Sequence, residues 1–505
     1  MGARGAGDVA VSVGGGGLVV MAMKWAPAGV LALCIARLWL MPLPSSFWVD
    51  EMGTVFVVRH GGGDPSFAAA PQVPESIYYW LPKAADAVFG TSEVAYRIPS
   101  VLALGLALVF LARLAARLVH AQAGWLAVFM CLGLKGVNYA AADARPYALG
   151  MCVAAAALLT LVRWMDSGRW RDAAGFAICG ALLWRIQLIF WPMYVVLAAY
   201  ALVRLARRET KVGWMEAGAV FGLVGVTLIP VLAEAVALLR QAKEHVVAPA
   251  PPLTELARAL KIGLVVGCGA VAWALGRIFR SKWNPPMTKG SAALVVGFWV
   301  GQPLCLFAFS WLTGDSVFVN RYLSVGLPGV ALAATAAAGR FIPSDWWRPL
   351  SAAFGVGVLL LLGQWSEAWP PHHNSNWRAA AHTVNSLAPD ASVPVICPSP
   401  FIEARPPVWT PDYRLPGFLY CHLPVYPIRG KELLFPFETS PEAETYAAQL
   451  AKGLFARTGR FALYGGNRVV GFWRGWFMRR PEMAGWSNRR AGRFGDVDVV
   501  VFERR

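Results

Sequence analysis

Two adjacent carboxylates, Asp50 and Glu51, stand in the run PSSFWVDEMGTVFVVRHGG, at the first exit from a long apolar segment. Near the ends of other apolar segments come Glu75, Arg97, Lys135, Asp143, Arg145, Arg185 and Arg321. An ionisable side chain costs about 2.5 to 3.5 kcal/mol at the centre of a bilayer, so a set gathered at span ends calls for a function. The set mixes carboxylates with guanidiniums. That mixture suits a reaction in which an alcohol loses its proton while an anionic phosphate departs: a carboxylate takes the proton, and Arg stabilises the charge growing on the leaving group. Neighbouring side chains diverge in direction on a helix or strand, so Asp50 and Glu51 do not share one role. The competing reading of the pair is a solvated turn or a helix N-terminus.

The elements that must carry these groups are membrane helices. The chain has 505 residues, 57% of them hydrophobic and 15% charged. Its mean hydropathy is +0.49, the composition of a polytopic integral membrane protein. A span needs about 20 apolar residues. Segments near 25–43, 98–112, 121–140, 147–162, 173–189, 190–203, 213–233, 259–276, 290–312, 323–339 and 349–364 approach this, which predicts about eleven crossings. The formal charge of +17 sits mostly in short links between them, such as Arg113 and Arg117, Arg163 to Arg171, Arg204 to Lys211, and Arg277 to Lys282. This pattern reports topology rather than nucleic-acid binding, and places those links and the N-terminus in the cytoplasm. The stretch 173–203 would rise only about 47 Å as one helix, against about 60 Å for two full crossings. Basic links on both flanks require an even number of crossings, which predicts two short helices meeting near Trp191-Pro192; one tilted span is the alternative.

The expected organisation is a cytoplasmic tail over 1–24, a transmembrane region over 25–368 with a first outer loop over 44–97, and an outer C-terminal domain over 369–505. The first loop reads as two interfacial helices, with Tyr78, Tyr79 and Trp80 suited to a lipid. The tail reads as α/β: NWRAAAHTVNSL as a helix, and SVPVIC, RFALYGG and VDVVVFERR as strands, after a linker WPPHHNSN. Six cysteines lie in apolar spans, leaving Cys397 and Cys421 outside, where a disulfide is the expectation and two free thiols in an apolar core the alternative. A cleaved signal peptide is disfavoured, because Arg37 interrupts the first apolar run and PLPSSFW offers no small-x-small site.

Four stretches, WVDEMGTVFVVRHG, SIYYWLPKAADAVFGTSEVAYRIPSVL, ADARPYALG and VFVNRYLSVGLPGVAL, resemble in order and spacing the bacterial membrane glycosyltransferases of the GT-C superfamily. Within it, the protein O-mannosyltransferase-like and aminoarabinose-transferase-like enzymes are nearest in pattern, over Trp25 to Gly339, and NWRAAA resembles their C-terminal module. The resemblance implies an inverting enzyme of the bacterial inner membrane. It would move a sugar from a polyprenyl-phosphate donor to a hydroxyl of a glycan, lipid or protein acceptor at the outer face. The first-loop acid then falls on Asp50, as general base or as ligand of an optional divalent ion (Mg2+ or Mn2+), with Glu51 beside it; no cofactor is required.

Carried over residue by residue, the resemblance puts Asp143, Arg145 and Tyr147 near the donor phosphate, with Arg321 and Tyr322 likewise. Snorkelling to headgroups is the rival reading for both arginines. Arg97 matches a family Arg as substrate contact or structural anchor, and Gln187 with Arg185 is expected to line the cavity. The chain departs from the pattern at QVPESIYYW, which lacks the family's paired prolines; Glu75 would supply a second carboxylate there.

His372-His373 tempts a metal assignment, but no third ligand stands at helical spacing. The stretch GFWRGWFMRRPEMAGWSNRR reads as a solvated or membrane-touching face. No GxxxxGKS loop and no GxSxG elbow occurs. A transporter or flippase of a lipid-linked glycan is the alternative from another class, opposed by acids that gather at one face rather than at the midplane. A sensor or scaffold is a third.

Overall fold

The computed structural model describes residues 15–70, 73, 76–241, 249–280 and 283–505. Glu75 and Lys282 fall outside these, as do residues 1–14 of the expected N-terminal tail. All eleven apolar segments are helical. Among the described residues, six helices are long and apolar enough to cross a membrane, and up to eight if each of two bent pairs is one span. The chain is a polytopic membrane protein.

The first helix α1 (Gly15–Ile35) continues through a π-helical turn, Ala36–Leu40. There Arg37 is buried and donates to the carbonyls of Gly363, Gln364, Glu367 and Ala368, which binds the end of α1 to the chain leaving the last helix. In the first loop, α2 (Val49–His60) and α3 (Trp80–Phe89) form. Only α3 has the expected interfacial character, exposing Trp80, Val88 and Phe89. Helix α2 instead buries Glu51 to Val57, a correction to the reading of two interfacial helices.

Helix α4 (Glu93–Leu118) is a long span. The next apolar segment breaks at Gly133-Leu134 into α5 (Gly124–Leu132) and α6 (Lys135–Ala141), bent by 83° rather than running as one straight span. Then α7 (Tyr147–Ser167) packs on α4. The stretch in doubt is a pair of helices, α8 (Trp170–Ile186) and α9 (Pro192–Ala206), separated by a 3-10 turn. Pro192 at the first helical position loses no hydrogen bond and sets the turn. Asp166 accepts from Arg117 and Arg204 at 2.7 Å each, and Arg163 pairs with Asp172, so three of the basic links meet at one end. Helices α10 (Trp214–Gln241), α11 (Leu253–Leu260), α12 (Ile262–Ile278), α13 (Lys289–Thr313), α14 (Leu327–Gly339) and α15 (Trp347–Leu362) complete the bundle.

The tail opens with α16 (Trp377–Leu387) and forms a five-stranded sheet in the order β2-β1-β3-β5-β4. The expected strands appear as β1 (Pro394–Pro398), β3 (Arg460–Gly466) and β5 (Val497–Arg504). Two were not foreseen: β2 (Lys431–Phe435), parallel to β1, and β4 (Trp486–Phe494), antiparallel to β5. The stretch read as a solvated face is thus a helix, Asn467–Met478, followed by β4 at the sheet edge. Cys397 and Cys421 are free buried thiols, not the expected disulfide; each is part of the apolar core.

One core spans the tail and the first loop. Phe47, Met52, Val55, Phe56 and Phe67 pack in the same cluster as Phe418, Leu419 and the sheet residues. The Tyr426 hydroxyl accepts from Phe47 N–H (2.8 Å) and donates to Glu93 (2.7 Å). The loop that presents Asp50 is therefore clamped from above by the tail.

Candidate active site

The site is assembled where α2 begins. Glu51 is fully buried and receives Arg97 in a two-bond fork, Nε to Oε1 at 2.7 Å and Nη2 to Oε2 at 2.5 Å. Its remaining lone pairs take the Ala144 N–H (2.8 Å) and the Trp48 N–H (3.2 Å), the latter capping α2. Burial would raise the Glu51 pKa, but the Arg97 charge and hydrogen bond, with His372 and Ala144, outweigh it and hold the carboxyl below its usual range. The other Arg97 donors go to the carbonyls of Leu43, Ser45 and Ser46. Glu51 and Arg97 are thus a buried anchor, and neither has a group left for substrate. The expected roles of Glu51 as a catalytic acid and Arg97 as a substrate contact find no free hydrogen-bonding group in this arrangement.

Asp50, one position earlier on the helix, points the other way and stays partly exposed. Its Oδ2 accepts from Arg321 Nη1 at 2.7 Å and lies 4.0 Å from Arg145 Nη2. Arg145 Nη1 also reaches the Asp50 carbonyl (3.3 Å), while its buried Nε has no partner. Two cations thus share one carboxylate, which leaves a net positive charge and unfilled N–H donors beside it. Arg321 sits at the entry to α14, with its guanidinium 5.4 Å from the ring of Tyr322. The turn is set from behind by Gln302 on α13, fully buried, which donates to the carbonyls of Tyr322 (2.8 Å) and Ile189 (3.3 Å). Tyr147, the first residue of α7, is buried with an unpartnered hydroxyl in electrostatic reach of Arg145, Arg321 and Asp50. Tyr79 neighbours Arg145 and Asp50 as well; burial raises its phenol pKa, against the opposing pull of Arg145.

The remaining expected residues take several places. Tyr78 is buried rather than facing lipid and lies in electrostatic reach of Asp143 and Arg145, so it borders the site, and Trp80 is the exposed ring of that cluster. Gln187 stands in the break after α8 and joins none of the hydrogen bonds around Asp50. Arg185 donates to carbonyls of its own helix and of α10, at Ala181 and Thr227.

Asp143 is fully buried behind Trp48, whose indole N–H donates to Oδ1 at 3.0 Å. Burial raises its pKa, partly offset by His372 and Trp48, while the Glu51 charge adds to the rise. His372, on the linker to the tail, brings Nε2 to 3.7 Å from Asp143 Oδ1. His373 stacks on Trp48 with centroids 4.9 Å apart. Glu51, Asp143 and His372 offer ligand atoms all within 4.8 Å of one another, the one such trio among the described residues. Asp50 is not in it, which moves the metal-capable position away from the residue expected to hold an ion. Sequence spacing gave no signal for this trio, because 321 positions separate Glu51 from His372.

Comparison with known proteins bears on the fold that carries this site. Residues 74–233 match the model of a family described as dolichyl-phosphate-mannose-protein mannosyltransferase. No curated protein matches by sequence. The chain is similar in structure to ArnT from Cupriavidus metallidurans in the apo state, at 13% identity and TM-score 0.57, covering 97% of this chain and 98% of that one. It is likewise similar to ArnT bound to undecaprenyl phosphate, at 12% identity and TM-score 0.54, with the same coverage. The chain has the GT-C fold of ArnT with a small C-terminal sheet domain, and the GT-C resemblance drawn from the four stretches is borne out.

Proposed function

We propose that this chain is a membrane glycosyltransferase that moves a sugar from a polyprenyl-phosphate donor to an acceptor hydroxyl at the outer face of a bacterial inner membrane, with inversion. The observation that carries the reading is the Asp50 carboxylate held by Arg321 at 2.7 Å with Arg145 at 4.0 Å, at the ends of three helices. The match to a dolichyl-phosphate-mannose family and the fold shared with ArnT support it. So does a structure of ArnT with bound undecaprenyl phosphate.

A phosphate entering between the guanidiniums of Arg145 and Arg321 competes with Asp50 for them, and each planar fork can bind two phosphate oxygens. The carboxylate so released accepts the proton of the acceptor hydroxyl. The hydroxyl oxygen bonds to the anomeric carbon, the bond from that carbon to the phosphate oxygen breaks, and its electron pair leaves on the phosphate, where the two arginines stabilise it. Attack opposite the leaving group gives inversion. Tyr147 and Tyr79 line the same place, and the acceptor class stays open among glycan, lipid and protein hydroxyls.

The test is the lipid that co-purifies. Mass spectrometry of the protein extracted in mild detergent is expected to find polyprenyl phosphate or its glycosylated form with the parent, and at least about 10-fold less with Arg145→Ala/Arg321→Ala, a loss of one good charge-assisted contact or more. Equal amounts in both proteins, or no polyprenyl lipid in either, would overturn the reading.

A further inference from the structure

We propose that the groove between α9 and α10, at the end of the bundle away from Asp50, binds one anionic phospholipid. An acyl chain lies in the groove, and the headgroup phosphate meets the cations of the link that joins the two helices. The groove has a volume of about 260 Å3 and is lined by apolar residues alone, among them Ala198, Ala201 and Leu205 of α9 and Trp214, Gly218 and Phe221 of α10. Leu205 stands about 180° around α9 from Val196, which packs on Gly297 and Gly301 of α13, so the lining faces away from that neighbour. Residues 198–205 rise about 10 Å, most of the roughly 15 Å of one leaflet, so the groove has the direction and depth of an acyl chain.

The mouth of the groove is cationic. Helix α9 starts beside the Arg321 turn, where Gln302 joins the Ile189 and Tyr322 carbonyls, and ends at Ala206, so the mouth lies at the far end from the candidate active site. The link after it carries Arg207, Arg208 and Lys211, all exposed and without a side-chain partner among the described residues. Lys211 N–H donates to the Met165 carbonyl (2.9 Å), which ties this link to the end of α7 and so to Arg169 and Arg171, also exposed. The nearby acids are engaged or turned away. Asp166 accepts from Arg117 and Arg204, Asp172 pairs with Arg163, Glu216 accepts from Gly213 N–H, and the Glu209 carboxylate lies against Gly290 of α13. Trp170 and Trp214 stand exposed at this level, where amphipathic rings meet headgroups. Basic links are common at one face of a membrane; here three free cations sit on the link between the two helices that frame an apolar groove. A basic pocket between spans selects an anionic headgroup over a zwitterionic one. A second copy of this chain, placed here by two-fold symmetry, would bring the same positive charge to the mouth, which favours a lipid over a dimer. Binding here involves none of the residues around Asp50, and its detection needs no transferase activity.

Full-length protein, delipidated in mild detergent, is to be titrated with phosphatidylglycerol or phosphatidylcholine of the same acyl chains and read by native mass spectrometry. The parent is expected to hold one phosphatidylglycerol with a Kd at least about 10-fold below that for phosphatidylcholine. The triple variant Arg207→Gln/Arg208→Gln/Lys211→Gln should lose that preference. Gly218→Leu, which fills the groove where a side chain meets no other atom within 4 Å, should weaken phosphatidylglycerol binding at least about fivefold with the cations intact. Size-exclusion profiles establish that the variants fold, and for any that does not, the parent's comparison of the two lipids decides alone. Equal Kd for the two lipids in the parent would overturn the proposal. So would a preference that survives in the folded triple variant, or a folded Gly218→Leu protein that binds as the parent does. A lipid-free dimer of the parent that phosphatidylglycerol fails to dissociate would assign the groove to a second copy and overturn it as well.

Discussion

Asp50 and Glu51 are neighbours with opposite environments, because consecutive helical positions are turned by about 100°. One faces two guanidiniums at a partly exposed edge, and the other is sealed under the loop with Arg97. Replacing Glu51 with Gln leaves the Arg97 charge buried with only carbonyls around it, so a loss of about 3 to 5 kcal/mol is expected. Asp50→Asn should shift stability by less than about 1 kcal/mol, since its ion pairs are partly solvated. Thermal unfolding in detergent distinguishes the two, and equal shifts would refute the division of roles. Arg145→Lys keeps the charge but removes the fork, so an increase in donor KM of roughly 10-fold or more is expected from vesicle kinetics, with unchanged KM as the contrary result. The types and spacing of Asp50, Arg145 and Arg321 were legible in the sequence because ionisable residues at span ends are rare. The anchoring of Glu51 by Arg97 was not, since pairing across 46 positions leaves no local pattern.

At the scale of elements, the site depends on interruptions in apolar helices. The 83° bend between α5 and α6 and the turn of residues 142–146 bring Asp143 and Arg145 back over the start of α2. Hydropathy revealed the apolar runs but not this bend, because a window of about 20 residues averages across GWLAVFMCL and KGVNYAA. Strand β3 was readable from its continuous apolar run, whereas β4 carries Arg489, Arg490 and Arg493 on a sheet edge and so lacked the expected alternation. Helix α14, entered through Arg321, packs closely on α13 at Gly329, where an added Cβ would stand 2.2 Å from the Phe298 carbonyl oxygen. Small residues at such crossings let backbones approach. Gly329→Ala must push the helices apart, with an expected destabilisation of about 1 to 3 kcal/mol and a parallel loss of transfer activity as the Arg321 turn shifts. An alanine variant with parent-like unfolding and activity would show that the contact is not restrictive.

Across the whole molecule, the tail and first loop behave as one folded body over the membrane helices, since Phe47, Met52 and Phe56 share a core with the sheet. Within that body His422 is fully buried and neutral, and burial pushes its pKa down to about 3 from the ordinary 6.5. The unfolded chain therefore takes up a proton that the folded one refuses. Stability is complete above about pH 6.5 and falls as the pH drops toward about 3, by about 2 kcal/mol at pH 5. His422→Phe should flatten that slope in unfolding measured between pH 5 and 7, and a slope unchanged by the substitution would assign it to other groups. The boundary of the tail was visible as a fall in hydropathy near Trp369, but its union with the first loop was not, because aromatic side chains reveal no partners from sequence alone. The function assigned to this assembly rests on Asp50 taking a proton at the membrane face. In vesicles supplied with labelled polyprenyl-phosphate sugar and membrane extract as acceptor source, the parent is expected to transfer label and Asp50→Asn to transfer at least about 100-fold less while remaining inserted and folded. Transfer undiminished in Asp50→Asn would contradict the account.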